Sequence, residues 1–218
     1  MNFVAHAALC AAHHGHRDAV LGAVAPDLVP RAGLGFADPQ VPLVAAGLAH
    51  HAAVDELFHS HAWFTRHRTT LFTDLQAVGV ARGASRVVAH VGLELLIDGE
   101  LIAIDAAPGF AEVWDRLRSP DRVASHLVAD EHRDRWLSFL ELFTSRVEPA
   151  RYDDPEYVTS RIAGLLSTRP RFALGRHDHG KVTDALSSVS AAVASFVADL
   201  PTIFAGLSPA AVGPSGPY

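Results

Sequence analysis

The chain has 218 residues with a formal charge of −6, of which 49% are apolar, 19% charged and fourteen histidine. That length suits one well-buried domain or two small ones, and the composition is globular rather than disordered. The acidic balance with no Lys/Arg cluster excludes nucleic-acid binding, which rests on neutralising phosphates, and no apolar run reaches the roughly 18 to 20 uncharged residues of a membrane span.

Apolar residues recur at three and four throughout, and no β-branched stretch alternates with period two, so the expected class is all-α. A first helix covers Phe3–His13, with Asn2 as a candidate cap. Its start, "MNFVAHAALC", lacks the basic region of a signal peptide, and Cys10 is the single cysteine, which permits no internal disulfide and no cysteine-based zinc finger. A cytoplasmic protein is the expectation. A second helix runs from Arg17 to Val29 and ends in "APDLVPRAGLG", followed by a Gly/Pro-rich loop from Arg31 to Pro42. A third covers Pro42 to Thr65 and a fourth Arg68 to Val78. The stretch after Ser85 reads as a long central helix, apolar on nearly every side. Ser119 and Pro120 open a helix that continues to Arg146, and Pro155–Leu166 and Val182–Leu207 give two more. Residues 1–207 form a single domain on this reading, and residues 208–218 a disordered tail.

The segment "HHAAVDELFHSH", His50 to His61, holds four histidines around Asp55. At about 100° per residue, Val54, Leu57 and Phe58 mark an apolar stripe that includes His50 and His61. His51 and Asp55, four apart, share one edge of it. Such a pair can grip one ion or make an ordinary hydrogen bond. His59 turns further away, as an extra ligand or an exposed side chain. On the central helix His90, Glu94 and Asp98 are spaced by four, beside Val87, Val91 and Leu101. Ionisable groups on an apolar helix must be paired or bind a metal, so the ladder is a polar network or part of a metal site. His6 lies in the apolar first helix, as a satisfied core histidine or a ligand. Asp27 sits at a helix C-terminus, where the dipole disfavours an acid and a cation would compensate it. "HHGH", with His13, His14 and His16, reads as a solvated turn. There is no Walker loop and no Gly-x-Ser-x-Gly elbow, and Cys10 has no activating motif.

In order along the chain, "MNFVAH", "APDLV" around Asp27, Gly47-x-x-x-His51-x-x-x-Asp55, "LLIDGEL" around Asp98 and "AGLLSTRPR" near its end resemble the acyl carrier protein phosphodiesterase family, itself similar to the HD-domain metal-dependent phosphohydrolases. The resemblance implies an HD-domain-like helical bundle holding a divalent ion, Mn²⁺ first, with Mg²⁺, Fe²⁺ or Zn²⁺ as alternatives. It implies hydrolysis of the phosphodiester joining 4′-phosphopantetheine to an acyl carrier protein. His51, Asp55 and Asp98 match ligand positions, Asp27 would be a ligand or position the attacking water, and His6 would complete the shell. Asp27 and Glu94 stand as the catalytic candidates, with His50, His59, His61 and His90 as supporting groups. Arg31, Arg169 and Arg171 are candidates for the phosphate, whose oxygens match guanidinium forks, or else solvated surface. A hydrolase of a small phosphorylated metabolite, and a non-catalytic helical metal- or ligand-binding module, are the alternatives.

Overall fold

The computed structural model describes residues 2–37, 41–167, 169, 172–175 and 177–205. Arg171 and the tail 208–218 therefore lie outside the described residues. Among the described residues there is no strand, so the expected all-α class is observed. In chain order the helices are α1 Phe3–His14, α2 Arg17–Leu28, α3 Pro42–Ser60, α4 Ala62–Ala77, α5 Arg82–Val87, α6 Leu93–Ala103, α7 Phe110–Arg118, α8 Arg122–Ser125, α9 Arg133–Arg146, α10 Pro155–Leu166 and α11 Asp178–Ile203. The chain divides into two compact units. The first comprises Met1–Glu56, Asp105–Glu148 and Pro201–Tyr218, and the second Leu57–Ile104 and Pro149–Leu200.

In the first unit α1 buries Phe3, Val4, Ala5, Ala7 and Cys10 completely. It ends at Gly15, whose φ of 60° suits a glycine and lets its N–H reach the Ala11 carbonyl. Burial pushes the Cys10 thiol up to about 12, which leaves it inert as a nucleophile. His16 starts α2, its ring accepting from the Asp18 N–H at 3.2 Å. Helices α2 and α3 cross with their backbones almost touching. A Cβ on Gly22 would lie 2.2 Å from the Val44 carbonyl oxygen, and one on Gly47 would lie 2.0 Å from that of Ala19. Phe3 stacks on Trp114 of α7 at 5.8 Å and meets Phe143 of α9 edge-on at 5.8 Å. Arg116, nearly buried, is neutralised by Asp18 and Asp121, each at 2.7 Å.

In the second unit Phe58, Phe64, Trp63 and Phe196 pack together, with Trp63 stacked on Phe196 at 4.1 Å. Helix α6 is buried from Leu93 to Gly99, as its apolar composition predicts. A Cβ on Gly99 would strike the Tyr152–Asp153 backbone at 2.1 Å. By length and composition α11 could cross a membrane. Its buried residues Val182, Leu186, Val189, Val193, Phe196, Val197 and Leu200 fall on one stripe spaced by three and four, the pattern of a helix laid on a core.

Several expected boundaries differ. The third helix stops at Ser60, because the His61 ring accepts the Trp63 N–H at 3.3 Å and starts α4 there. His61 therefore stands half-exposed at a helix break and does not point into the core along α3. The central helix begins at Arg82, and Ser85 lies inside α5 with its hydroxyl bonded to the Val80 and Ala81 carbonyls. It is interrupted by a π turn, Val88–Gly92. The helix expected from Ser119 is in pieces: Asp121, not Ser119, caps the short α8, accepting from the Ala124 N–H at 2.9 Å. Asn2 precedes α1 without a side-chain capping bond, and its Oδ1 accepts from Arg31 instead, at 3.2 Å.

Candidate metal centre

Three helices of the first unit bring His6, Asp27 and His51 together. Each offers a ligand atom, and these atoms lie within 4.8 Å of one another. His6 comes from the buried face of α1 and Asp27 from the last turn of α2, while His51 and Asp55 come from adjacent turns of α3. The i, i+4 ledge expected on the third helix is therefore present: His51 Nε2 is 3.4 Å from Asp55 Oδ2. Asp55 also faces His6, whose Nε2 lies 3.1 Å from Oδ1. The two imidazoles stack with centroids 3.8 Å apart.

The hydrogen bond behind His51 fixes its tautomer. Nδ1 is 2.8 Å from the Ala23 carbonyl oxygen. A carbonyl only accepts, so Nδ1 carries the proton and a neutral ring presents a bare lone pair at Nε2. That lone pair would face the Asp55 carboxylate with Asp27 nearby. Such an arrangement needs a positive centre, which is either a proton on Nε2 or a metal cation. A backbone carbonyl orienting the remote ring nitrogen is the usual support of a ligating histidine.

The electrostatics follow from burial and neighbours. Burial lowers the His51 pKa, but the hydrogen bond with Asp55 and the charges of Asp27 and Asp55 outweigh it, so the net shift is upward. Burial would raise Asp55, but the hydrogen bonds from His51 and His6 hold it well below the usual carboxylate range. His6, fully buried, is pushed down to about 3 by desolvation and the His51 charge. It is neutral at physiological pH, the form that ligates metals. Its Nδ1 is buried without a hydrogen-bond partner among the described residues.

His50 is buried behind this cluster, as its helical phase predicts. Its Nε2 lies 2.9 Å from His13 Nδ1, and His14 packs edge-on at 5.3 Å. "HHGH" is thus not a solvated turn throughout, because His13 and His14 form the last turn of α1, ahead of Gly15, and pack against His50. Desolvation, with His13, His14 and His51 adding, lowers His50 to about 4.

These shifts predict an acid response. His6 and His50 fold neutral, whereas unfolding returns them to the ordinary value of 6.5. Below pH 6.5 the unfolded chain therefore binds more protons, and stability falls as pH drops towards 4. His13 is lowered too, and the three outweigh the opposite contribution of His51. The urea midpoint of metal-free protein should be lower at pH 5 than at pH 7. An equal or higher midpoint at pH 5 contradicts this account.

In the second unit His59, His90 and Glu94 form another group whose ligand atoms lie within 4.8 Å. Burial would raise Glu94, but hydrogen bonds from His59 and His90 hold it well below the usual range. Asp98, one helical turn on, is fully buried and is not a member of that group. Arg31 is exposed on the turn Pro30–Ala32, held by Asn2 of the first unit, and Arg169 is exposed in the second. Sequence reasoning left out the Ala23 carbonyl, and no side-chain pattern reveals a backbone acceptor on a neighbouring helix.

No family model, curated protein or solved structure matches the chain. The chemistry of these donor sets thus carries the functional reading.

Proposed function

We propose that the protein is a cytoplasmic, metal-dependent phosphodiesterase of the acyl carrier protein phosphodiesterase type, with His6, Asp27, His51 and Asp55 holding a divalent cation, Mn²⁺ first. The observation that carries this reading is the commitment of His51 Nδ1–H to the Ala23 carbonyl, which turns Nε2 towards two carboxylates beside a second, neutral imidazole. Two histidines and two carboxylates from three helices form a donor set suited to Mn²⁺, Fe²⁺ or Zn²⁺.

When bound, such an ion activates water and neutralises charge on phosphoryl oxygens. The chain's own groups have separable roles. His6 stays neutral, so it need not shed a positive charge before binding a cation. Asp55 and Asp27 raise the His51 pKa, and a proton taken up at Nε2 competes with a metal there, so metal affinity falls as pH drops. Asp27, in the last turn of α2, would serve as a ligand or orient a nucleophilic water. Asp55 is about a third exposed, which leaves the cluster open to solvent on that side. The resemblance also implies Asp98, whose alanine variant belongs in the same series.

The test is incubation of purified protein with Mn²⁺ and holo acyl carrier protein. Release of 4′-phosphopantetheine, lost in His51→Ala, is expected. Turnover of a generic phosphodiester without that release favours a small phosphorylated metabolite as substrate. No turnover of either by metal-loaded protein overturns the enzyme reading and leaves a metal-binding module.

A further inference from the structure

We propose that His59, His90 and Glu94 form a second divalent-metal site, whose coordination is completed by an oxyanion held in the arginine-lined cavity beside His90. The site lies wholly in the second unit and does not depend on the function proposed above.

The geometry comes first. His59 Nε2 and His90 Nε2 each lie 3.1 Å from the same carboxylate oxygen, Glu94 Oε1. A tetrahedral ion with bonds of about 2.0–2.1 Å separates its ligand atoms by about 3.3–3.4 Å. The two histidine–glutamate separations are close to that spacing, and the three ligand atoms lie within 4.8 Å of one another. Two imidazoles and one carboxylate with an open position is also a recurrent catalytic zinc set. Both histidines are about a third exposed, 34% and 36%, so an ion could enter, while Glu94 at 11% supplies a shielded charge. His90 itself sits in the π turn Val88–Gly92, a distortion that concentrates at functional sites.

The surroundings set the remaining ligand. His90 lines a cavity of about 550 Å³ together with Arg68, Arg82 and Arg86. None of these three arginines pairs with a carboxylate among the described residues. Three guanidiniums beside a dication repel it, and an anion touching both removes that repulsion. Planar guanidinium forks match phosphate and phosphonate oxygens. Metal and oxyanion should therefore bind with positive coupling, each tightening the other.

Zn²⁺ uptake by the full chain, measured by equilibrium dialysis, tests the metal. Wild-type protein should bind two equivalents, and the His59→Ala/His90→Ala variant one, with an unchanged circular dichroism spectrum. Asp27→Ala/His51→Ala should lose the other. Wild-type uptake by the His59→Ala/His90→Ala variant overturns the second site. A single wild-type equivalent, lost with His59 and His90 but kept without Asp27 and His51, sustains it while removing the proposed function's metal. Should the double variant misfold, Glu94→Gln keeps the side-chain shape and should weaken the second site at least about tenfold; unaltered affinity overturns it. For the oxyanion, methylphosphonate should tighten zinc binding at least about fivefold in wild type. That gain should vanish in Arg82→Ala/Arg86→Ala. No gain in wild type, or an equal gain in the variant, removes the oxyanion from the proposal.

Discussion

Asp55→Ala should strip the metal from the first unit and lower kcat/KM for a phosphodiester with Mn²⁺ by at least about 100-fold, because losing even an outer support of a metal site costs up to about that much and Asp55 is one of the proposed ligands. Asp55 contacts both imidazoles, His6 at 3.1 Å and His51 at 3.4 Å. Without it, nothing on α3 holds the two rings in register, and His51 loses the largest influence that raises its pKa. Asp55→Asn separates charge from shape, since an amide oxygen can still accept from His6 but cannot neutralise a cation. It should resemble the alanine variant in metal content and activity while unfolding close to wild type. Wild-type metal content and turnover in Asp55→Ala would sink the assignment of this cluster.

Gly47→Ala should cost more than the about 1–3 kcal/mol typical of overpacking. The new Cβ would stand 2.0 Å from the Ala19 carbonyl oxygen and 2.8 Å from the Ala23 nitrogen. Both atoms are backbone, so no rotamer change relieves the clash and α2 must move away from α3. At about 2–4 °C per kcal/mol for a chain of this size, Tm should fall by about 6 °C or more. The damage should also reach the site. His51 is one turn beyond Gly47, and Ala23, which orients it, is on the helix being displaced. Metal binding should therefore weaken together with stability. Gly164→Ala in α10 is the control, because a Cβ there meets nothing within 4 Å. It should leave Tm unchanged or raise it, alanine being the better helix former. A Tm for Gly47→Ala equal to wild type would contradict the close crossing.

These two helices also show how far a sequence reading reaches. Apolar spacing made α1, α2 and α10 legible to within a residue of their observed bounds, Phe3–His14, Arg17–Leu28 and Pro155–Leu166. The His51–Asp55 ledge was legible because both residues lie on one uninterrupted helix, where phase alone decides adjacency. Phase failed at His61 because a ring nitrogen captured a backbone N–H and restarted the helix. It failed again at Val88–Gly92, where a widened turn leaves no mark in the apolar pattern. Helix α7 was overlooked although Gly109, at φ 74°, precedes a strongly amphipathic run. The pairing of His59 with Glu94 spans 35 positions, and residue spacing along one helix does not encode it. The same holds for the fold of His13 and His14 onto His50. The proposed function rests on the residue-by-residue resemblance and on the donor chemistry.

The most direct test is anomalous diffraction from crystals of the full chain grown with Mn²⁺. The account predicts a manganese peak bonded to His6, Asp27, His51 and Asp55, with the His51 Nδ1–Ala23 hydrogen bond retained. A map without that peak, in crystals where His51 Nε2 still pairs with Asp55, would contradict it.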